Sequence, residues 1–396
     1  MFTLYVGVDI SKDTFSCTGL HNEAEKRFCL TASMNRTGFA DLLETIRNHC
    51  SETSSVLVGM ESTGCYHVNL YSFLAAHDIK TVVINPLLIN NFAKLSLRKT
   101  KTDKKDSLLI AQFLVLNTTA LSAVSVSEDH RDLRELARER ESISHLIATT
   151  KTEIRQALHR TFPELSSLCN VFSRGMLEFL KVFPSARMIR LAKPKAISKA
   201  LRPADKRKTP PVSAEQIMEA AKSSVASISL AKELILPGKI ATLLHLQQRL
   251  TEMTELLENI CKATMVQDLE ILTSIKGIST KTAIPFLAEL SAIERFDSYK
   301  KLIAYAGLDP AIYNSGKRQA SGKISKRGNS HLRRVIWLMT FCTVRQNPVM
   351  KDYFLKRIRE GLPFKKAMMA TSHKLLRLIY AMLTRKTYYV PQISNA

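Results

Sequence analysis

Apolar residues in the first 125 positions fall into short alternating runs broken by helical spacing. TLYVGVDI at 3–10 is β-branched and apolar and closes on an acid, and KRFCLTA at 26–32 reads as the second or third strand of a meander. TGFADLLETIRNHC at 37–50 carries apolar residues at helical spacing, and SSVLVGMEST then reads as a strand ending at Glu61. A helix over 66–77 follows, and TVVINP at 81–86 predicts a short buried strand stopped by proline. The Lys- and Arg-rich segment 90–105 leads into SLLIAQFLVL, a helix whose start carries Asp103 and Asp106. Strands alternating with helices predict an α/β domain over 1–125.

From Glu128 to Leu165 the pattern becomes a long charged helix with Leu136, Ile143, Ile147, Ile154 and Leu158 spaced seven and four apart. Leu243, Leu246, Leu250, Met253, Leu257 and Ile260 form a second such row, so both predict coiled-coil seams in a helical middle, 126–265. Between them, 186–211 holds nine Lys or Arg, one Asp and four prolines, the composition of a mobile basic loop or insertion. The last part, 266–396, reads as mostly α-helical. It opens with a helix, a tight turn at Gly277 and a helix, and carries two more helices at roughly 331–345 and 363–383.

Charge changes the picture. Fifty-eight Lys and Arg stand against 35 Asp and Glu, a formal charge of +23, which suits a partner rich in phosphate or an anionic membrane surface. No apolar run approaches the roughly 18 residues that span a bilayer, and the N-terminus lacks a basic leader, so a cytosolic protein with no membrane partner is expected. Seven cysteines form no close pair of the zinc-binding kind and their number is odd. They read as reduced, buried small hydrophobes.

Against this basic background, Asp9 and Glu61 close two strands, and Asp103 and Asp106 sit three apart in a first helical turn. Crowded carboxylates repel one another and would take up protons unless a cation lies among them. Two divalent ions about 4 Å apart can activate a nucleophile and stabilise a leaving oxygen in phosphodiester chemistry, and magnesium prefers carboxylate and water oxygens. Taken singly, each acid also suits a helix cap or the helix dipole. Together they predict a metal site in which Asp9 bridges both ions.

VGVDISKD, GMESTGCY, VINP and KTDKKDSLLIAQF, in that order, resemble the N-terminal RuvC-like domain of a bacterial insertion-sequence transposase family, the DEDD or "IS one-ten" type that includes the pilin-gene invertases. YAGLDPAIYNSGKRQASGKISKRGNSHLRR is similar to that family's second domain. The resemblance implies an α/β RuvC/RNase H-like N-terminal domain, a coiled-coil helical middle and a mostly α-helical C-terminal transposase domain. It also implies a DNA recombinase with Asp9, Glu61, Asp103 and Asp106 as ligands to Mg2+, two ions with Mn2+ able to substitute, and Ser315 as nucleophile. Double-stranded DNA, at the element ends and the target, is then the substrate. A noncoding guide RNA, the "bridge" RNA of the family, and a homo-oligomer, dimer or tetramer, are the further partners, in the bacterial cytoplasm with the nucleoid.

The residues alone leave Ser315, Ser321 and Ser325 open as nucleophiles. Seven Lys or Arg and no acid lie between Ser315 and Arg334, and such charge favours an alkoxide and a crowded phosphate. It serves simple phosphate contact equally well. Lys99, Lys101, Lys104 and Lys105 beside the acids are expected to draw a backbone toward the metals, with Lys317, Arg318, Lys323, Lys326, Arg327, Arg333 and Arg334 around the serine. Lys276 and Gly277 lie in a turn resembling a helix-hairpin-helix, which can offer backbone N–H groups to phosphate or can simply stop a helix. A structure-selective junction endonuclease with water as nucleophile is the competing enzyme class, and a non-enzymatic basic scaffold the third.

Overall fold

A computed structural model describes residues 2–21, 24–61, 66–94, 103–121, 128–201, 212–315 and 318–391. The chain divides into two compact units, Met1–Val126 and Ser127–Ala396.

The first unit is built on β1 (Leu4–Ile10), β2 (Thr14–His21) and β3 (Lys26–Ser33), the expected meander, followed by α1 (Arg36–His49), β4 (Val56–Glu61), α2 (His67–Ala75), β5 (Lys80–Ile84), α3 (Pro86–Ala93) and α4 (Asp103–Leu121). The five strands lie in the order β3-β2-β1-β4-β5, antiparallel across β1, β2 and β3 and parallel across β1, β4 and β5. This mixed sheet is consistent with an RNase H-like unit. Alternation along the strands sorts side chains to two faces. Leu4, Val6, Val8, Val58 and Met60 pack with Phe39, Leu42, Leu70 and Leu74 of α1 and α2 on one face, and Tyr5 and Leu57 pack with Ile110, Phe113 and Leu114 of α4 on the other. The proline expected only to stop β5 also starts α3, because its fixed φ suits the first helical turn.

The second unit opens with α5 (Glu128–Thr161) and continues through α6 (Leu165–Leu168), α7 (Arg174–Val182), α8 (Ala186–Leu191), α9 (Pro194–Leu201), α10 (Ala214–Lys222) and the long α11 (Leu230–Thr264). Leu133 and Ala137 share a core with Met253, Leu257 and Cys261, while Ile143, Ile154 and Leu158 share one with Leu236, Ile240 and Leu243. The start of α5 therefore lies along the end of α11, an antiparallel pair also tied by Arg140 to Thr254 at 3.0 Å and Lys239 to Glu153 at 2.6 Å. The two predicted seams thus bury each other within one chain.

Residues 186–201 are helical rather than a mobile loop. Ala186, Ile189, Ile197 and Leu201 are buried, and Arg187 forms a two-pronged ion pair with Glu233 of α11, at 3.0 and 2.5 Å, where Ser185 also donates at 2.6 Å. Basic composition masked this apolar spacing; the rest of the expected loop, 202–211, lies outside the described residues. The branch between α5 and α11 closes at its base, where the Ser227 amide donates to the Arg160 carbonyl at 3.0 Å.

The chain then runs through α12 (Val266–Thr273), α13 (Thr280–Leu290), α14 (Tyr299–Tyr305), a hairpin of β6 (Pro310–Ser315) and β7 (Arg318–Ile324), and α15 (Ser330–Gln346), α16 (Pro348–Arg359) and α17 (Phe364–Arg385). The hairpin, α14 and α16 are additions to the expected helices. Among the described residues no helix is long and apolar enough to cross a membrane. Cys17 and Cys261 are buried as expected, but Cys29 is exposed on edge strand β3, correcting the uniform reading of the cysteines.

Candidate functional site

The parallel register of β1 and β4 ends with Val8 opposite Met60, so Asp9 and Glu61 come next in line on neighbouring strands about 4.8 Å apart. Asp9 alternates with Tyr5 and Gly7, and Glu61 with Leu57, so both acids belong to the face covered by α4. Because Ile110, Phe113 and Leu114 lie over the early residues Tyr5 and Leu57, α4 runs against the strands and its first turn comes to their carboxyl ends. That turn opens at Asp103 and contains Asp106.

Two contacts fix this placement. A β-carbon at Gly7 would collide with the Ser107 carbonyl oxygen and the Ala111 amide, so α4 and β1 meet backbone to backbone. The buried Ser107 and Thr18 hydroxyls lie 2.9 Å apart and tie α4 to the neighbouring strand β2. Asp9, Glu61 and Asp106 are half-buried. Among the described residues no three of Asp, Glu, His and Cys form a ready metal cluster, and the Asp103 side chain is not among those described. The donor chemistry nonetheless fits a hard cation, since every ligand would be a carboxylate oxygen. Lys104 lies in α4 and Lys105 is exposed there, while Lys99 and Lys101 lie outside the described residues.

In the second unit the three serines take different positions. Ser315 ends β6 with Arg318 as its register partner, whereas Ser321 lies inside β7 opposite Ile312. Ser325 is occupied at the base of the hairpin, where its hydroxyl donates to Asp309 Oδ1 at 2.5 Å and its amide to the Asp309 carbonyl at 2.8 Å. Lys323 also lies on β7, and Lys317 lies outside the described residues.

The expected basic contacts divide into bound and exposed groups. Arg333 donates to the Ala306 carbonyl at 2.9 Å, and Arg334 pairs with Glu141 of α5 at 2.6 Å, beside His331 at 2.9 Å. Lys276, Lys326 and Arg327 are exposed. Gly277 has φ of +100°, and a β-carbon there would meet Thr343 Cα at 2.6 Å. Its turn packs on α15, and this contact alone accounts for the glycine.

One group escaped sequence reasoning. Glu289, 2% exposed, receives Arg138 Nε and Nη2 at 2.6 and 2.9 Å and Asn329 Nδ2 at 2.6 Å. Burial pushes its carboxyl up, but these hydrogen bonds and the charges of Arg138 and Arg134 hold it below the usual carboxylate range. Asn329 also caps α15 by accepting from Leu332 N at 3.0 Å, so this buried acid links α5 and α13 to the loop that follows the hairpin. The lone acid in the apolar run AIPFLAEL was the available signal.

Residues 6–163 match a family model described as a transposase, of the DEDD and IS110 type, and residues 269–355 match one described as the transposase IS116/IS110/IS902 family. Both describe transposases, enzymes that cleave and transfer DNA strands. Together the matches span more than half of the chain, and the chain belongs to the IS116/IS110/IS902 family. The pilin gene-inverting protein of Moraxella lacunata is 36% identical over 114 residues, covering 28% of this chain and 34% of that protein. The chain therefore spans about a third of the length of the pilin gene-inverting relative. The insertion element IS116 uncharacterized 44.8 kDa protein of Streptomyces clavuligerus is 22% identical over 404 residues, 98% of this chain and 96% of the relative. The transposase for insertion sequence element IS1111A of Coxiella burnetii is 22% identical over 387 residues, 97% and 90% of the two chains.

Proposed function

We propose that this protein is a magnesium-dependent, site-specific DNA recombinase that moves an insertion element by cutting and rejoining double-stranded DNA. Asp9, Glu61, Asp103 and Asp106 hold the metal, and Ser315 is the nucleophile. The observation that carries the reading is the in-line placement of Asp9 and Glu61 on the face where the first turn of α4 arrives. Bound magnesium supplies charge stabilisation to the reacting phosphate.

The Ser315 Oγ loses its proton and attacks phosphorus, and a sugar hydroxyl leaves with a proton. The product is a phosphoserine diester, which conserves bond energy. Attack by a second sugar hydroxyl releases the serine and seals the new strand. The hairpin position of Ser315, beside Arg318, supports this choice over Ser325, whose hydroxyl is held by Asp309. Exposed Lys105, Lys276, Lys326 and Arg327, with Lys99, Lys101, Lys104, Lys317, Arg318 and Lys323, serve the phosphate backbone. A noncoding guide RNA from the element selects the sites, and assembly on DNA is oligomeric, a dimer or tetramer.

The test is cleavage of DNA carrying the element ends. Asp9→Asn abolishes cleavage and leaves DNA binding intact, and Ser315→Ala forms no covalent protein–DNA adduct. Undiminished cutting by Ser315→Ala would identify a hydrolytic junction endonuclease instead. RNA of one defined sequence in active preparations supports guidance, and active protein free of RNA refutes it.

A further inference from the structure

The helices α16 and α17 carry a basic surface that none of the groups above includes. Between Lys351 and Arg385 nine Lys or Arg stand against two acids, Asp352 and Glu360. The matched family region ends at residue 355, before most of them.

Tyr353 organises the centre of this surface. Lys374 Nζ lies 4.5 Å from its ring centroid and the Arg357 guanidinium 4.9 Å, with Arg357 Nη2 donating to the Tyr353 hydroxyl at 2.9 Å. Arg357 also pairs with Glu360 at 2.8 Å. Among the described residues no carboxylate pairs with Lys356, Lys366, Lys374 or Arg377. Burial lowers the Lys374 ammonium below the ordinary lysine range, and the nearby charges of Arg377 and Lys356 lower it further. Like charges held together in this way are relieved by an anion.

The arrangement is linear. At 3.6 residues per turn, Lys366, Lys374 and Arg377 fall within about 80° of one another on α17, and Lys366 and Arg377 are separated by about 16 Å along the axis. A single phosphate would occupy one end of such a row. A polymer with a charge every few ångströms occupies all of it.

We propose that the α16–α17 surface, through Lys356, Lys366, Lys374 and Arg377, binds the phosphodiester backbone of a nucleic acid. The inference rests on the recombinase reading, which supplies the nucleic acid, and adds a contact surface to it. The backbone comes from DNA or from RNA, whose charge chemistry is shared.

The test measures binding of full-length protein to a short duplex DNA and to a single-stranded RNA, by fluorescence anisotropy across a salt titration. The triple variant Lys366→Gln, Lys374→Gln, Arg377→Gln is compared with Lys193→Gln, Lys195→Gln, Lys199→Gln, which removes the same charge from exposed positions in and just before α9. The α17 triple is expected to bind at least about tenfold more weakly at low salt, with a log–log salt slope shallower by about 2 to 3. The polymer that shows the loss identifies the source of the backbone.

Unchanged affinity for both polymers, or an equal loss in the α9 triple, overturns the assignment. If the Lys374 change disturbs packing on Tyr353, the double variant Lys366→Gln, Arg377→Gln carries the test alone. Wild-type protein that binds neither polymer refutes the recombinase reading itself, whereas wild-type binding with an unaffected triple refutes only this surface.

Discussion

The carbonyl oxygen of Ser107 occupies the space that a side chain on Gly7 would need, so the helix bearing Asp106 rests directly on the strand bearing Asp9. Gly7→Ala must lift α4 from β1. The expected cost is about 1–3 kcal/mol of overpacking, measured by urea denaturation. Strand cleavage should fall far more than that loss of stability predicts, because the acids move apart, while affinity for duplex DNA is retained.

Glu289 gives a stability signature in acid. Its carboxyl is held below the usual range in the fold, so its contribution is complete above the unfolded value of about 4.3 and is lost as pH falls through the lower folded value. Glu289→Ala leaves Arg138 and Arg134 without their buried partner and should cost about 3–5 kcal/mol near neutral pH. Denaturation curves across a pH series should show a weaker decline in acid for Glu289→Gln than for the wild type.

The clasp between Ser325 and Asp309 separates structural from chemical serines. Ser325→Ala removes a hydrogen bond to a carboxylate, worth about 1.5 kcal/mol, and should speed amide exchange in the hairpin while covalent adduct formation on DNA persists. Loss of the adduct in Ser325→Ala, with its retention in Ser315→Ala, would reverse the assignment of the nucleophile.

Thiol labelling reads the first unit and the helical pair independently. Burial pushes the Cys17 thiol up to about 12 and the Cys261 thiol up to about 11, so neither supplies much thiolate at neutral pH. Exposed Cys29 should react with iodoacetamide in the native protein, and Cys17 and Cys261 only on unfolding, as mass spectrometry of the labelled peptides would show.

The sequence made legible what depends on local pattern. The strand with Asp9 next to its end, the strand ending at Glu61 and the helix opening at Asp103 were readable because alternation and capping are properties of neighbours in the chain. The start of α16 was also written there, since Asn347 caps it and Pro348 follows at the first helical position, but the surrounding charge obscured the signal. The β6–β7 hairpin was not readable, because its Gly, Lys and Ser residues have weak strand preference and register does the work. The burial of Glu289 depends on Arg138, 151 positions earlier, and no local window contains both.

The opposed run of α5 and α11 makes the described helices between Thr161 and Leu230 a side branch whose two ends meet where Ser227 bonds Arg160. A branch of that form can be trimmed, enlarged or swapped for another without rethreading the helices on either side. A replacement must also cover Ile240 and Leu243 and supply the partners that Ser185 and Arg187 give buried Glu233, and it then leaves the hairpin that bears Ser315 undisturbed.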